Sequence, residues 1–117
     1  MGGDLWSLPV RAAGRKVGEL CGFTVEGRDG PVGTVTRGDS DRGHSYLIVS
    51  LDPALGRAKA MLPAGIVERV DTAAAVVRVA CSRAQLAAAP RFESDRIRDA
   101  AYRTELTLHY AARPAQA

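Results

Sequence analysis

Between residues 20 and 81 apolar positions alternate with small or polar ones in six short bursts: 20–27, 32–37, 46–51, 58–62, 66–70 and 76–81. A two-residue period is the mark of a half-buried strand, whose side chains point alternately to opposite faces. The intervening segments 28–31, 38–43, 52–57, 63–65 and 71–74 are rich in Gly, Pro, Asp or Ser, residues that interrupt regular structure. Six short strands at this spacing predict a mainly β chain folded as a small barrel or sandwich. Closure into a barrel would also remove the unpaired edges that a short sheet must otherwise protect.

The clearest local signal is the stretch 23–36, where Val25, Val32 and Val35 alternate with polar residues on either side of Asp29-Gly30. Asp-Gly is favoured where a tight hairpin needs φ above zero, so Asp29 and Gly30 are expected at the turn, with Gly33 serving strand geometry. The same stretch is glycine-rich, as phosphate-cradling loops are. Such loops lead into a helix, whereas residues 32–36 here are strongly β-prone, which favours the hairpin.

Two helices follow. Ser82 and Gln85 have capping-box spacing: Ser82 would accept from the first free N–H groups while Gln85 reaches back, and Pro90 would stop the run. A longer helical pattern covers about residues 95–111, with Ser94 as its expected cap and Asp95 near the positive end of the dipole. Along it Ile97, Ala101 and Leu108 form one apolar stripe, and Tyr102, Leu106 and Tyr110 form a second. Two stripes are wide for one barrel flank, which leaves two readings: packing on the chain's own body, or contact with a second chain. Residues 1–18, with Gly2, Gly3, Pro9, Gly14 and Gly18, read as an irregular lead-in anchored by Trp6 and Leu8. The organisation is then a lead-in over 1–18, a barrel over 19–92, and a helix and tail over 93–117.

The 117 residues, 46% hydrophobic and 25% charged, suit one globular domain that needs neither disulfide nor metal to fold. No apolar run approaches a membrane span. The start lacks the basic and apolar regions of a signal peptide, and Trp6 stands where a myristoylation motif wants Ser or Thr, so a cytoplasmic setting without membrane insertion is expected. Cys21 and Cys81 each fall in an apolar stretch and read as small core residues; spacing alone does not settle whether they pair. With His44 and His109 they would make four metal ligands, but the close pairs of zinc sites are absent.

The net charge is +3, and fourteen of the sixteen basic residues are Arg. Arg78, Arg83, Arg91, Arg96, Arg98 and Arg103 crowd the last third, a possible phosphate-binding cluster. Glu93, Asp95, Asp99 and Glu105 interleave with them, which reads better as a salt-bridged helix face. Tyr46 is the one aromatic between residues 24 and 91, whereas RNA-reading β surfaces display aromatics for stacking. Asp39, Ser40 and Asp41 form a polar turn that fits neither a calcium loop nor a nucleophile elbow, since Ser50 and Arg42 stand where Glu and Gly are required. Neither His44 nor His109 sits by an identifiable nucleophile, and Asp71 has no partner carboxylate in the sequence. No cofactor site is expected, and the chain does not read as an enzyme.

The order of motifs carries a resemblance. Residues 22–35, then Tyr46-Leu-Ile-Val49, then the run from Met61-Leu-Pro-Ala-Gly to Asp71, then Val77-Arg-Val79 and Ala89-Pro90, resemble the PRC-barrel family over about residues 18–92. The flanks Asp4-Leu-Trp-Ser7 and 102–110 look like those of small stand-alone actinobacterial PRC-barrel proteins. The resemblance implies a small PRC-type β-barrel of about six short strands with a short helix and a C-terminal helix. Such barrels occur in the cytoplasmic part of the photosynthetic reaction-centre H subunit and at the C-terminus of a ribosome maturation factor, where they dock partners without catalysis. The expected role is therefore a non-enzymatic protein-interaction module binding another protein or its own copy as a homodimer. Trp6, Tyr102, Leu106 and Tyr110 are its candidate contact residues. The alternative is an RNA- or ribosome-associated factor using the C-terminal Arg cluster.

Overall fold

All six expected strands form, and their ends differ from the periodicity in instructive ways. A computed structural model describes Trp6 and residues 17–41, 44–55, 58–90 and 92–111. The strands are β1 (Thr24–Gly27), β2 (Gly30–Asp41), β3 (His44–Leu51), β4 (Lys59–Pro63), β5 (Val67–Asp71) and β6 (Val76–Val79). They make one sheet in the order β4-β3-β2-β1-β6-β5, antiparallel throughout except for the parallel β1–β6 pair.

The pairing does not close on itself, so the barrel is open where closure was expected: β4 and β5 are the two edges. These edges are nevertheless consecutive in the chain, joined by a single 3-10 turn, Ala64–Ile66. Laid flat, five inter-strand spacings would hold the edges about 24 Å apart, while the step from Pro63 to Val67 reaches at most about 14 Å. The sheet must therefore coil. Its concave side takes Val25, Val32, Val35, Leu47, Val49, Leu62, Val67, Val77 and Val79 into one buried cluster.

In β3 the four consecutive residues Tyr46, Leu47, Ile48 and Val49 are all buried, which an alternating strand with one wet face would not allow. Both faces are covered. The convex side of the β3–β4 half is closed by α2 (Ala100–Ala111), which packs on β4 and adds Tyr102, Leu106 and Tyr110 to the same cluster. Trp6 completes the cover: its carbonyl accepts from Ser45 N–H at 2.7 Å and its indole Nε1–H donates to Thr107 Oγ1 at 2.8 Å.

The first turn lies one residue earlier than Asp29-Gly30. Gly27 pairs with Gly30, so Arg28 and Asp29 are the loop and Gly30 opens β2 with φ of +142°. Asp29 is drawn away from any turn-closing role, because its carboxylate accepts from the backbone N–H of Arg83 at 2.9 Å. Gly33 is a strand residue fixed by close approach. It lies between Val25 of β1 and Leu51 of β3, and a Cβ there would collide with the Ser50 carbonyl. The polar stretch expected as a turn over 38–43 instead extends β2 to Asp41, opposite His44; Arg42 and Gly43 lie outside the described residues. Cys21 is exposed, contrary to its reading as core. The chain turns at 21–22 between a 3-10 helix (Val17–Leu20) and β1, with Gly22 at φ of +91°, so no strand runs through it.

Helix α1 (Arg83–Ala87) is capped as expected by Ser82, whose Oγ accepts from Gln85 N–H at 3.0 Å. The other half of the capping box is not made. Gln85 Nε2 donates instead to the carbonyl of His109 at 3.2 Å, and His109 Nε2 lies 2.7 Å from the carbonyl of Gln85, so the pair ties the two helices together. Helix α2 begins later than expected. Residues Ser94–Arg96 form a separate 3-10 turn, and Asp99 replaces Ser94 as cap by accepting from Ala101 N–H at 2.9 Å.

Three substitutions test this packing. Gly33→Ala must displace β3 and is expected to cost about 1–3 kcal/mol or more, read as a lowered denaturant midpoint. Leu106→Ala, in the core, is expected to cost about 2–5 kcal/mol, whereas Leu108→Ser, at a position 67% exposed, should stay within about 0.5 kcal/mol. Equal losses for both would refute the assigned orientation of α2.

Candidate binding cleft

The four residues expected on an interaction surface are interior. Tyr102 and Leu106 are fully buried and Trp6 and Tyr110 nearly so, because the coiled sheet leaves β3 and β4 with a second apolar face that this helix stripe and Trp6 cover. The other stripe faces outward, with Ala101 and Leu108 exposed and Ile97 partly buried. Tyr102 and Leu106 are closed to a partner while the helix is docked, whereas Trp6 borders the cleft described below.

The hairpin residues act as a clamp on α1. Besides the Asp29 contact, Arg28 N–H donates to the Cys81 carbonyl at 2.9 Å and Arg83 Nη1 donates to the Pro31 carbonyl. The buried Cys81 thiol beneath is pushed up to about 12, chiefly by desolvation and next by the Asp29 carboxylate. A thiol held protonated in this way is a poor nucleophile and a poor metal ligand. Cys21 and Cys81 are both free, and among the described residues no cluster of three or more His, Cys, Asp or Glu side chains could hold a metal ion. None of the helices among them is long and apolar enough to cross a membrane.

The arginines that crowd together in sequence are dispersed in space. Arg78 pairs with Glu26 across the β6–β1 pair at 3.5 Å, and Arg83 belongs to the hairpin clamp. Arg96 meets Asp99 at 3.1 Å and Glu105 at 3.7 Å and stacks its guanidinium over Tyr102 at 5.1 Å. Arg91 lies outside the described residues. Arg98 and Arg103 alone come together, at a cleft of about 470 Å³ between the start of α2 and the start of β3, whose described lining is Trp6, His44, Arg98, Ala100, Arg103, Thr104 and Thr107.

Each part of that lining has a physical cause. Ala100, Arg103, Thr104 and Thr107 share one helix face by their three- and four-residue spacing. Arg103 is the one charged residue buried among those described, at 8% exposure, and its Nε–H donates to the Ile97 carbonyl at 3.0 Å, which fixes the guanidinium. Its expected place on a solvated helix face is thereby corrected. The Thr104 and Thr107 hydroxyls donate back to the carbonyls of Ala100 and Arg103. His44 meets Trp6 edge to face at 5.5 Å, and its Nδ1 is buried without a hydrogen bond. A second groove, of about 420 Å³ along β1, β5 and β6, carries Glu26, Arg69, Asp71 and Arg78, charges of both signs with Glu26 and Arg78 already paired.

Sequence reasoning singled out Arg98, Arg103, His44 and Trp6 separately and did not unite them. The i, i+4 spacing of Arg103 and Thr107 could have marked the helix face. Nothing local could have joined to it Trp6, 101 positions from its partner Thr107.

No protein-family model and no curated protein matches the chain. Among solved structures it is similar to a protein of Pseudomonas aeruginosa described as a 16S ribosomal RNA processing protein, RimM, with a TM-score of 0.51 and 20% identity. The match covers 64% of this chain and 49% of that one, so it spans about half of the RimM chain. At this identity the likeness is one of fold: a β-rich, barrel-like body.

The cap that starts α2 also sets the geometry of the cleft, and it is sensitive to pH. The backbone N–H of Ala101, then Arg96, hold the Asp99 carboxyl below its ordinary value of 3.8. A depressed carboxyl contributes stability above its unfolded pKa and loses it as pH falls through the folded one. Helical signal and melting temperature should therefore decline below about pH 4 in the wild type and decline less in Asp99→Asn, which keeps a capping oxygen. Identical acid profiles would refute the role given to Asp99.

Proposed function

We propose that the chain is a PRC-barrel-type protein that docks another protein and has no catalysis of its own. The observation that carries this reading is the make-up of the larger cleft. It brings together groups suited to recognition (an indole, two guanidiniums and an imidazole) on a barrel-like body. The RimM-like fold supports the assignment to a barrel class. The sequence motifs over 18–92 support the family.

A ribosome-associated role is the second reading, favoured by the name of the RimM structure alone. The dispersal of the Arg cluster weighs against it, because three of its members are engaged by Glu26, Pro31, Asp99 and Glu105. A second copy of this chain is one partner the leading reading allows, with exposed Leu108 as the apolar group available to it.

Affinity capture of the intact protein from its native cell tests the reading. A protein should be retained in stoichiometric amount and survive both nuclease treatment and moderate salt. Retention of ribosomal particles that vanishes with nuclease or salt would replace this reading with the ribosomal one.

A further inference from the structure

Strand β5 is an open edge whose charges complement their own reversed order. Among the described residues its backbone is paired with β6 and with no other strand. Such an edge directs alternate N–H and C=O groups outward, a template for one more strand. The other edge, β4, is a poor template: four of its five residues are buried, α2 packs on it, and it ends at Pro63, which has no N–H to offer. Beyond the irregularity between Val67 and Arg69, the run Arg69–Asp71 pairs regularly with Arg78, Val77 and Val76. Arg69 and Asp71 are exposed and share one face by their two-residue spacing, while Val70 packs on the core from the other.

The chain itself does not satisfy these charges. Arg69 stands directly opposite Arg78, a like charge, and Arg78 already pairs with Glu26 at 3.5 Å. Like charges so placed destabilise a sheet. Among the described residues the Arg69 guanidinium has neither ion pair nor hydrogen bond. Asp71 accepts from the Ala74 N–H at 3.1 Å and meets no cation among the same residues.

Resting on the docking role above, with a second copy as the partner, we propose that β5 pairs antiparallel with β5 of another copy of this chain about a twofold axis at Val70. That register sets Arg69 of each copy across from the partner's Asp71, so the complementary pair forms twice, and it sets Val70 against its equivalent. Neighbouring registers do less. An axis at Arg69 would face that residue with itself, and an axis between Glu68 and Arg69 falls in the irregular stretch, where Arg28 already holds Glu68 at 3.6 Å. The pairing is closed: it consumes both copies of β5 and leaves the covered β4 edges outside, so it stops at two chains.

Sedimentation of the intact protein over about 10 µM to 1 mM, the range expected of so small a contact, should show the mass rising from 12.4 kDa toward twice that value. Arg69→Asp and Asp71→Arg each set like charges across the axis. Each should weaken association about tenfold or more, with the circular dichroism of the folded chain unchanged. Mixed in equal amounts the two variants should associate again, because each supplies the charge the other lacks. Asp71→Asn, which keeps the acceptor for Ala74, takes the place of Asp71→Arg if that chain fails to fold, and should weaken association in the same direction. A wild type that stays monomeric, or association unchanged in Arg69→Asp and Asp71→Asn, overturns the pairing and leaves the docking role to affinity capture. Two folded variants that lose association and do not recover it on mixing overturn the register. A foreign protein captured by a monomeric wild type and lost with Arg69→Asp gives the edge to another chain and overturns the second copy. A chain that dimerises in the predicted way and captures no other protein supports the pairing and overturns a separate partner.

Discussion

A six-stranded sheet whose two edge strands are joined by three residues, Ala64–Ile66, is forced to coil, and the rest of the molecule follows from that tether. Coiling gathers the valines and leucines of the concave side into a core without a second sheet. It also turns the convex side of β3 and β4 outward with apolar residues still on it. Helix α2 and Trp6 are the answer to that exposed face: they bury Tyr102, Leu106 and Tyr110 against it and are pinned at Thr107 and His109.

The same arrangement creates the cleft. Trp6 and His44 meet α2 along its first turns because Trp6 is held at the start of β3, its carbonyl accepting from Ser45 N–H. Arg96 then draws two acids of the helix to itself. Arg98 and Arg103 border the gap between helix and hairpin. The cleft thus sits at a seam of the fold rather than in the interior of the barrel-like body.

Much of the framework was legible in local pattern. Six strands, the Ser82 cap and a late helix can be read from residues close together in sequence, because alternation and capping are short-range effects. The errors fall where two local solutions are equally good and a distant group chooses between them. Ser94 and Asp99 are both competent caps, and Asp99 prevails with Arg96 and Ala101 N–H both on its carboxylate. Asp29 is competent to close a turn, yet it accepts from the N–H of Arg83, 54 positions away in sequence. Gln85 is competent to reach back, yet it bonds to the carbonyl of His109.

The sequence by itself determined that this chain is a small, mainly β protein with a glycine-dependent hairpin and two helices, because periodicity and turn chemistry are written in neighbouring residues. Only the tertiary structure decided that the sheet stays open, that the tyrosine stripe is core rather than contact surface, and that two of six clustered arginines share a cleft with Trp6 and His44. Those outcomes depend on which faces a coiled sheet leaves uncovered and on contacts between residues as many as 101 positions apart, and no local pattern encodes either.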